Sequence, residues 1–239
     1  MLQPDFLINF RSSSSFNSDK NIINSRAWIQ TAINISKDIE TKPYNAAKLK
    51  GYLPELRGMT VKKPKEFLPR MHEIFAECGI AFVLLPHLKN SGVNGAVKWV
   101  TDDRVVLAIN NRGVYADKFW FSLFHEIRHV LQQKIKKVFI SSTLEEMMDI
   151  NNKLEIDADK FAKNYLISPE DYRRLAPSRY ISDDEIVEFA KTIGIHPGIV
   201  AGRLQHEGII PQERCSKLKE KYVFEIKKMN RQILGKDEI

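Results

Sequence analysis

The sequence predicts an α+β fold in which a small, mainly antiparallel sheet packs against helices, and three observations point to it. Apolar positions at helical spacing up to Cys78 give way to short apolar runs over 80–85, 95–100 and 104–109, and helical spacing returns near Phe119. The stretch from Phe119 to Gln133 holds His125-Glu126-Ile127-Arg128-His129 between apolar and aromatic flanks. Further on, a second strong helix from about Leu154 carries Glu155 and Asp159 on one face. A cluster of strands set between helices, rather than strands alternating with helices, places the chain in the α+β class.

A chain of 239 residues can bury one medium core with appendages. We divide it into a leader with helices (1–60), a central domain (61–175) and a C-terminal helical region (176–239). Its 43% hydrophobic and 28% charged residues are ordinary for a soluble globular protein, and its longest apolar runs fall well short of the ~20 residues that span a bilayer. No secretory signal is evident. With two cysteines there is no disulfide framework, so a cytoplasmic location is expected. The formal charge of +7 would permit nucleic-acid contact, but the basic residues are dispersed and no recognition module is present. Direct nucleic-acid binding is not expected.

In chain order, residues 1–20, with the serine run from Ser12, read as a loosely docked leader. Ile22 to Glu40 fits a helical period and ends at Lys42-Pro43. A short helix is expected from Asn45 to Lys50, closed by Gly51. Another runs from Lys65 to Cys78, its start delayed by Pro69 and its end set by Gly79. Ile80–Leu85 is a buried strand, and 95–100 with 104–109 form a hairpin across Thr101-Asp102-Asp103. Val138–Ile140 is a further short apolar run, followed by a polar stretch over 141–152. The helix from Leu154 stops at Ser168-Pro169. Ser182-Asp183-Asp184-Glu185 opens a helix to Ile193, and Gly194 to Gly198 turns into Ile199–His206. This helical pair reads as a packing unit rather than a DNA reader. The last thirty residues read as basic and helical.

Histidines four apart on a buried helix bring two imidazole nitrogens within reach of one ion, and Glu126 can hold a carboxylate over the water such an ion carries. A third ligand is needed, and Glu155 can supply it. Asp159, one turn on, can accept the spare N–H of a ligand histidine. Asp157 lies half a turn away and reads as part of an exposed acidic patch balanced by lysines. Tyr165, His196 and Tyr115 are the candidates for a donor to the transition state.

FWFSLFHEIRH followed by ExxxDxFAxxxLISP resembles the ImmA/IrrE family of metallopeptidase-like proteins. The similarity is to the variant seen in HigA-type regulators, without their N-terminal helix-turn-helix domain. It extends over roughly residues 65–211 and reaches the Phe10-Arg11-Ser12 leader. The resemblance implies a zincin-like core with Zn2+ held by His125, His129 and Glu155, Glu126 as general base and Asp159 behind a ligand. It also implies a protein substrate or partner, either a helix-turn-helix repressor or a toxin–antitoxin component. Arg128 departs from the family pattern, standing where many relatives have glycine and so placing a bulky cation beside the site. Two functions follow as expectations: a zinc endopeptidase acting on a regulatory protein, its substrate aligned along the hairpin edge near 95–100, or a regulatory module that keeps the metal site and binds without cleaving.

Overall fold

The uninterrupted apolar run Ile80–Leu85 is buried on both faces because the sheet it enters is sandwiched between helices. The computed structural model describes residues 9–12, 19–110, 115–132, 144–175 and 181–224, with side chains over 21–110, 115–132, 151–175 and 181–224. The chain runs β1 (Asn9–Ser12), α1 (Asp19–Ser36), α2 (Ala46–Gly58), α3 (Pro64–Glu77), β2 (Ile80–Leu85), β3 (Val93–Thr101), β4 (Arg104–Asn110) and α4 (Ala116–Leu131). It continues through α5 (Leu144–Leu166), α6 (Pro169–Leu175), α7 (Asp183–Thr192) and α8 (Pro197–His206). The class is α+β.

The sheet order is β1-β3-β4-β2. The expected hairpin forms β3–β4, antiparallel from Gly95↔Ile109 to Thr101↔Arg104. β2 lies parallel to β4, so the sheet is mixed, with two of its three pairings antiparallel. Phe82, Leu84, Val97, Val105, Leu107 and Ile109 face the core built on α3 and α4. Ala81, Val83, Ala96, Val106 and Ala108 face Trp28, Ile29 and Ala32 of α1. Fully burying one such large side chain contributes roughly 1.5–3 kcal/mol.

Several boundaries differ from expectation. The leader is not wholly loose: Asn9–Ser12 pairs antiparallel with β3, from Asn9↔Val97 to Ser12↔Val93. The hairpin edge over 93–97 is therefore already occupied by the chain itself. α2 runs through Gly51 and Pro54 to Gly58 because Leu49, Leu53 and Leu56 recur at helical spacing and are all buried. That burial outweighs penalties of about 1 kcal/mol for glycine and about 3 for proline. α3 begins at Pro64, where a missing N–H costs nothing, and passes through Pro69. α5 begins ten residues before the expected Leu154, inside the stretch read as polar. The basic tail is not helical where it is described: after a 3₁₀ turn at Ser216–Leu218 it lies extended, Lys221 bridging to Tyr115. Its remainder from residue 225, like Val138–Ile140, lies outside the described residues.

α7 carries the expected capping box. Ser182 Oγ accepts from the Glu185 amide at 3.2 Å, and the Ser182 amide donates to the Glu185 carboxylate at 2.8 Å. α7 and α8 pack together through Ile186, Ala190, Ile199 and Val200, as a packing unit would. Gly79, at φ +80°, turns α3 into β2 with the Tyr44 backbone so close that a Cβ would fall 2.3 Å from it. The apolar core draws Leu49 and Leu56 from the first expected segment and Ala190, Leu204 and Tyr222 from the third, so the three share one interior. Among the described residues, no helix is long and apolar enough to cross a membrane.

Candidate metal centre

α4 places the site because its apolar stripe is held on all sides. Phe119, Trp120, Leu123, Phe124, Ile127 and Val130 are buried, and Trp120 Nε1 donates to the Tyr222 hydroxyl at 2.8 Å. His125, Glu126 and His129 are carried into the same interior and have no exposure to solvent. α5 packs alongside through Ala158 and Ala162, both fully buried, and these small side chains let the two helices approach closely. Glu155 thereby reaches both histidines: its oxygens lie 3.2 Å from His125 Nε2 and 3.2 Å from His129 Nε2. The two Nε2 atoms are 2.9 Å apart. The ligand atoms of His125, His129 and Glu155 all lie within 4.8 Å of one another.

The outer nitrogens decide what this cluster can hold. His125 Nδ1 is 2.9 Å from Asp159 Oδ1, and His129 Nδ1 is 2.8 Å from Gln132 Oε1. Both partners are acceptors, so in the neutral rings both Nδ1 atoms carry the proton and both Nε2 atoms present lone pairs. Two lone pairs and a carboxylate then point at one another inside the protein, which calls for a cation among them. The ionisation of the pair shows the same demand. Burial works against a charge on His125, but the hydrogen bonds to Asp159 and Glu155, with Glu126 nearby, lift it to about 9. Burial would raise Glu155, yet its contacts with His125 and His129 hold it at about 2. Two imidazoles and a carboxylate are a donor set that suits zinc and leave room for a fourth ligand. The cluster fits a metal ion, and its chemistry does not name which one.

Glu126 faces strand β3. A Cβ built on Gly95 would lie 2.6 Å from Glu126 Oε1 and 2.7 Å from its Cγ, so the strand backbone lies directly on this carboxylate. Only glycine permits that approach.

The remaining candidates lie apart from the cluster. Tyr165 stacks on Phe124 at 5.3 Å and packs on Phe161, about 15 Å along α5 from Glu155 by helical rise. Tyr115 is the N-cap of α4, a similar distance from His125, with the Lys221 ammonium over its ring. His196 caps α8: its Nδ1 accepts the Gly198 amide at 3.0 Å, and its Nε2 lies 3.2 Å from Glu220. Burial lowers its pKa, against the pull of Glu220.

One expectation is corrected in part. Asp157 is 42% exposed at its side chain, as expected, but its partners are not lysines: it binds Arg128 Nε at 2.6 Å and Gln132 Nε2 at 2.7 Å. Burial would raise its pKa, but these two partners bring it down. Arg128 does stand beside the site, its Nε on Asp157 and its guanidinium over the Phe161 ring at 5.4 Å. Gln132 and Gly95 escaped sequence reasoning. The only available signal for Gln132 was its place three residues after His129, which puts it on the same helix face.

Beside the cluster a cavity of about 1100 Å³ runs from Ser122 and Asp159 past Phe121 and Leu166 to Arg203 and Phe224. Comparison with family models, with curated proteins and with solved structures found no match.

Proposed function

We propose that this chain is a zinc-dependent endopeptidase with a zincin-like core, as its resemblance to the ImmA/IrrE family implies. Its substrate would be a regulatory protein, a helix-turn-helix repressor or a toxin–antitoxin component. The observation that carries this reading is the convergence of His125, His129 and Glu155 with Glu126 buried at the next helical position. Zinc bound there would polarise a scissile carbonyl and make water more acidic. Glu126 would take the proton of the attacking water and deliver it to the leaving amine. Gly95 would fix where that carboxylate sits, and Asp159 would hold the His125 ring in the tautomer whose Nε2 is free to ligate. The cavity beside Asp159, part apolar and part basic, gives a polypeptide side chain somewhere to go.

A second reading is supported by β1. The β3 edge that would align an extended substrate is already paired with Asn9–Ser12. A regulatory module that binds its partner without cleaving it fits that arrangement. Purified protein, its zinc content measured, should cleave the repressor or antitoxin encoded beside its gene. The Glu126→Gln variant should bind the same zinc and lose cleavage. Equal cleavage by both proteins would overturn the peptidase reading, and tight binding without cleavage by either would establish the second.

A further inference from the structure

We infer that Gln132 is the positioning residue of His129, and that Asp157, itself held by Arg128, locks the Gln132 amide in the one orientation that does this. The inference rests on the metal-site reading above but not on proteolysis. Gln132 is 3% exposed and follows α4 as its C-terminal cap. Its Nε2 faces two groups that only accept, Leu154 O at 3.1 Å and Asp157 Oδ2 at 2.7 Å. Turning the amide over would set its oxygen against two others, so that orientation is excluded. Gln132 Oε1 must then face His129 Nδ1, where it lies at 2.8 Å. An amide oxygen accepts only, so Nδ1 keeps its proton and Nε2 presents its lone pair toward Glu155 and His125.

Arg128 completes the arrangement from the same helix. Its Nε donates to the same Asp157 oxygen at 2.6 Å, and its guanidinium rests on the Phe161 ring. Asp157 on α5 is thus drawn by two donors of α4 and sets the height at which α5 lies on α4. Glu155 sits two residues earlier on that helix, so the contact that orients one ligand also fixes the approach of another. The two histidines are oriented differently. His125 has a carboxylate partner that adds basicity to its ring, whereas His129 has a neutral amide that fixes the tautomer without adding charge.

The test uses the full chain and zinc alone, with affinity measured by competition against a chromophoric chelator. Gln132→Met keeps length and volume but has no donor and only a weak sulfur acceptor, and it should bind zinc about 10–100-fold more weakly than wild type. Asp157→Ala should weaken zinc in the same direction, and its further loss in the Gln132→Met background should be clearly smaller than in wild type, because part of its effect passes through that amide. Asp157→Asn still offers an oxygen to both donors and should stay within about threefold of wild type. Nitrogen NMR of the metal-free protein supplies a readout that packing alone would not move: His129 should be the Nδ1–H tautomer in wild type and a mixture in Gln132→Met. Wild-type zinc affinity in Gln132→Met with the tautomer unchanged would overturn the inference, as would additive losses in the double variant. A wild type that binds no zinc would overturn the metal-site reading with it, whereas zinc binding without cleavage would sink only the peptidase reading.

Discussion

Gly95→Ala is the substitution whose effect can be worked most directly from the geometry. The added carbon would stand 2.6, 2.7 and 2.9 Å from Oε1, Cγ and Cδ of Glu126. Those contacts are roughly 1 Å inside the ~3.5–4.0 Å at which such atoms attract. Glu126 has no room to retreat, since it is wholly buried on a helix packed through Phe124, Ile127 and Val130. Gly95 does not have a left-handed φ, so the backbone itself tolerates alanine and the clash is the whole cost. Overpacking of this kind costs about 1–3 kcal/mol. For a chain of this size that lowers the melting temperature by roughly 2–12 °C. Zinc content should not change, because Glu126 is not a ligand. Any Glu126-dependent cleavage should fall by about 10²-fold for a misplacement near 1 Å. The decisive assay is a double-mutant cycle read by thermal denaturation. Glu126→Ala removes the three crowded atoms, so in that background Gly95→Ala should cost almost nothing. An equal cost in both backgrounds would refute the argument.

Chelation of a protein loaded with zinc should lower its melting temperature by several degrees and zinc should restore it, because an ion at a thousand times its Kd stabilises by about 4 kcal/mol; in His129→Ala, calorimetry with and without chelator should coincide. Tyr222→Phe strips the partner from the buried Trp120 N–H, and denaturant unfolding should show a loss of about 1–3 kcal/mol. Burial works against a charge on Glu207, but the bonds from Lys163, Tyr172 and Arg203 hold it at about 2. A depressed carboxylate stabilises above its unfolded value of ~4.5 and loses that contribution as the pH falls toward 2. Melting temperatures followed from pH 5 to pH 2 should therefore drop less steeply in Glu207→Gln than in wild type.

Periodicity made β2 legible to the residue, since an apolar run six residues long has no other buried use in this chain. The same reasoning closed α2 at Gly51, because a rule about glycine is local whereas the burial of Leu53 and Leu56 is decided by α3 and the sheet. At the site, His125, His129 and Glu155 follow from spacing along two helices, and spacing is a property of sequence. Gln132 and Asp157 do not. Each acquires its role from how closely α5 approaches α4, a distance set by Ala158 and Ala162 together with the rest of the interface. Gly95 is the extreme case, for its contribution is a missing atom that no pattern of side chains can display.

The pairing of β1 with β3 also bears on the order in which the molecule assembles. The β3–β4 hairpin closes across two residues, whereas joining Asn9 to Val97 requires most of the N-terminal half to be ordered first. Loop-closure entropy therefore makes the edge pairing a late event, although β1 is synthesised before β2, β3 and β4. Until then β3 carries an open row of amides and carbonyls beside Glu126. In the newly made chain, that exposed edge is where a neighbouring molecule would pair if β1 were slow to arrive.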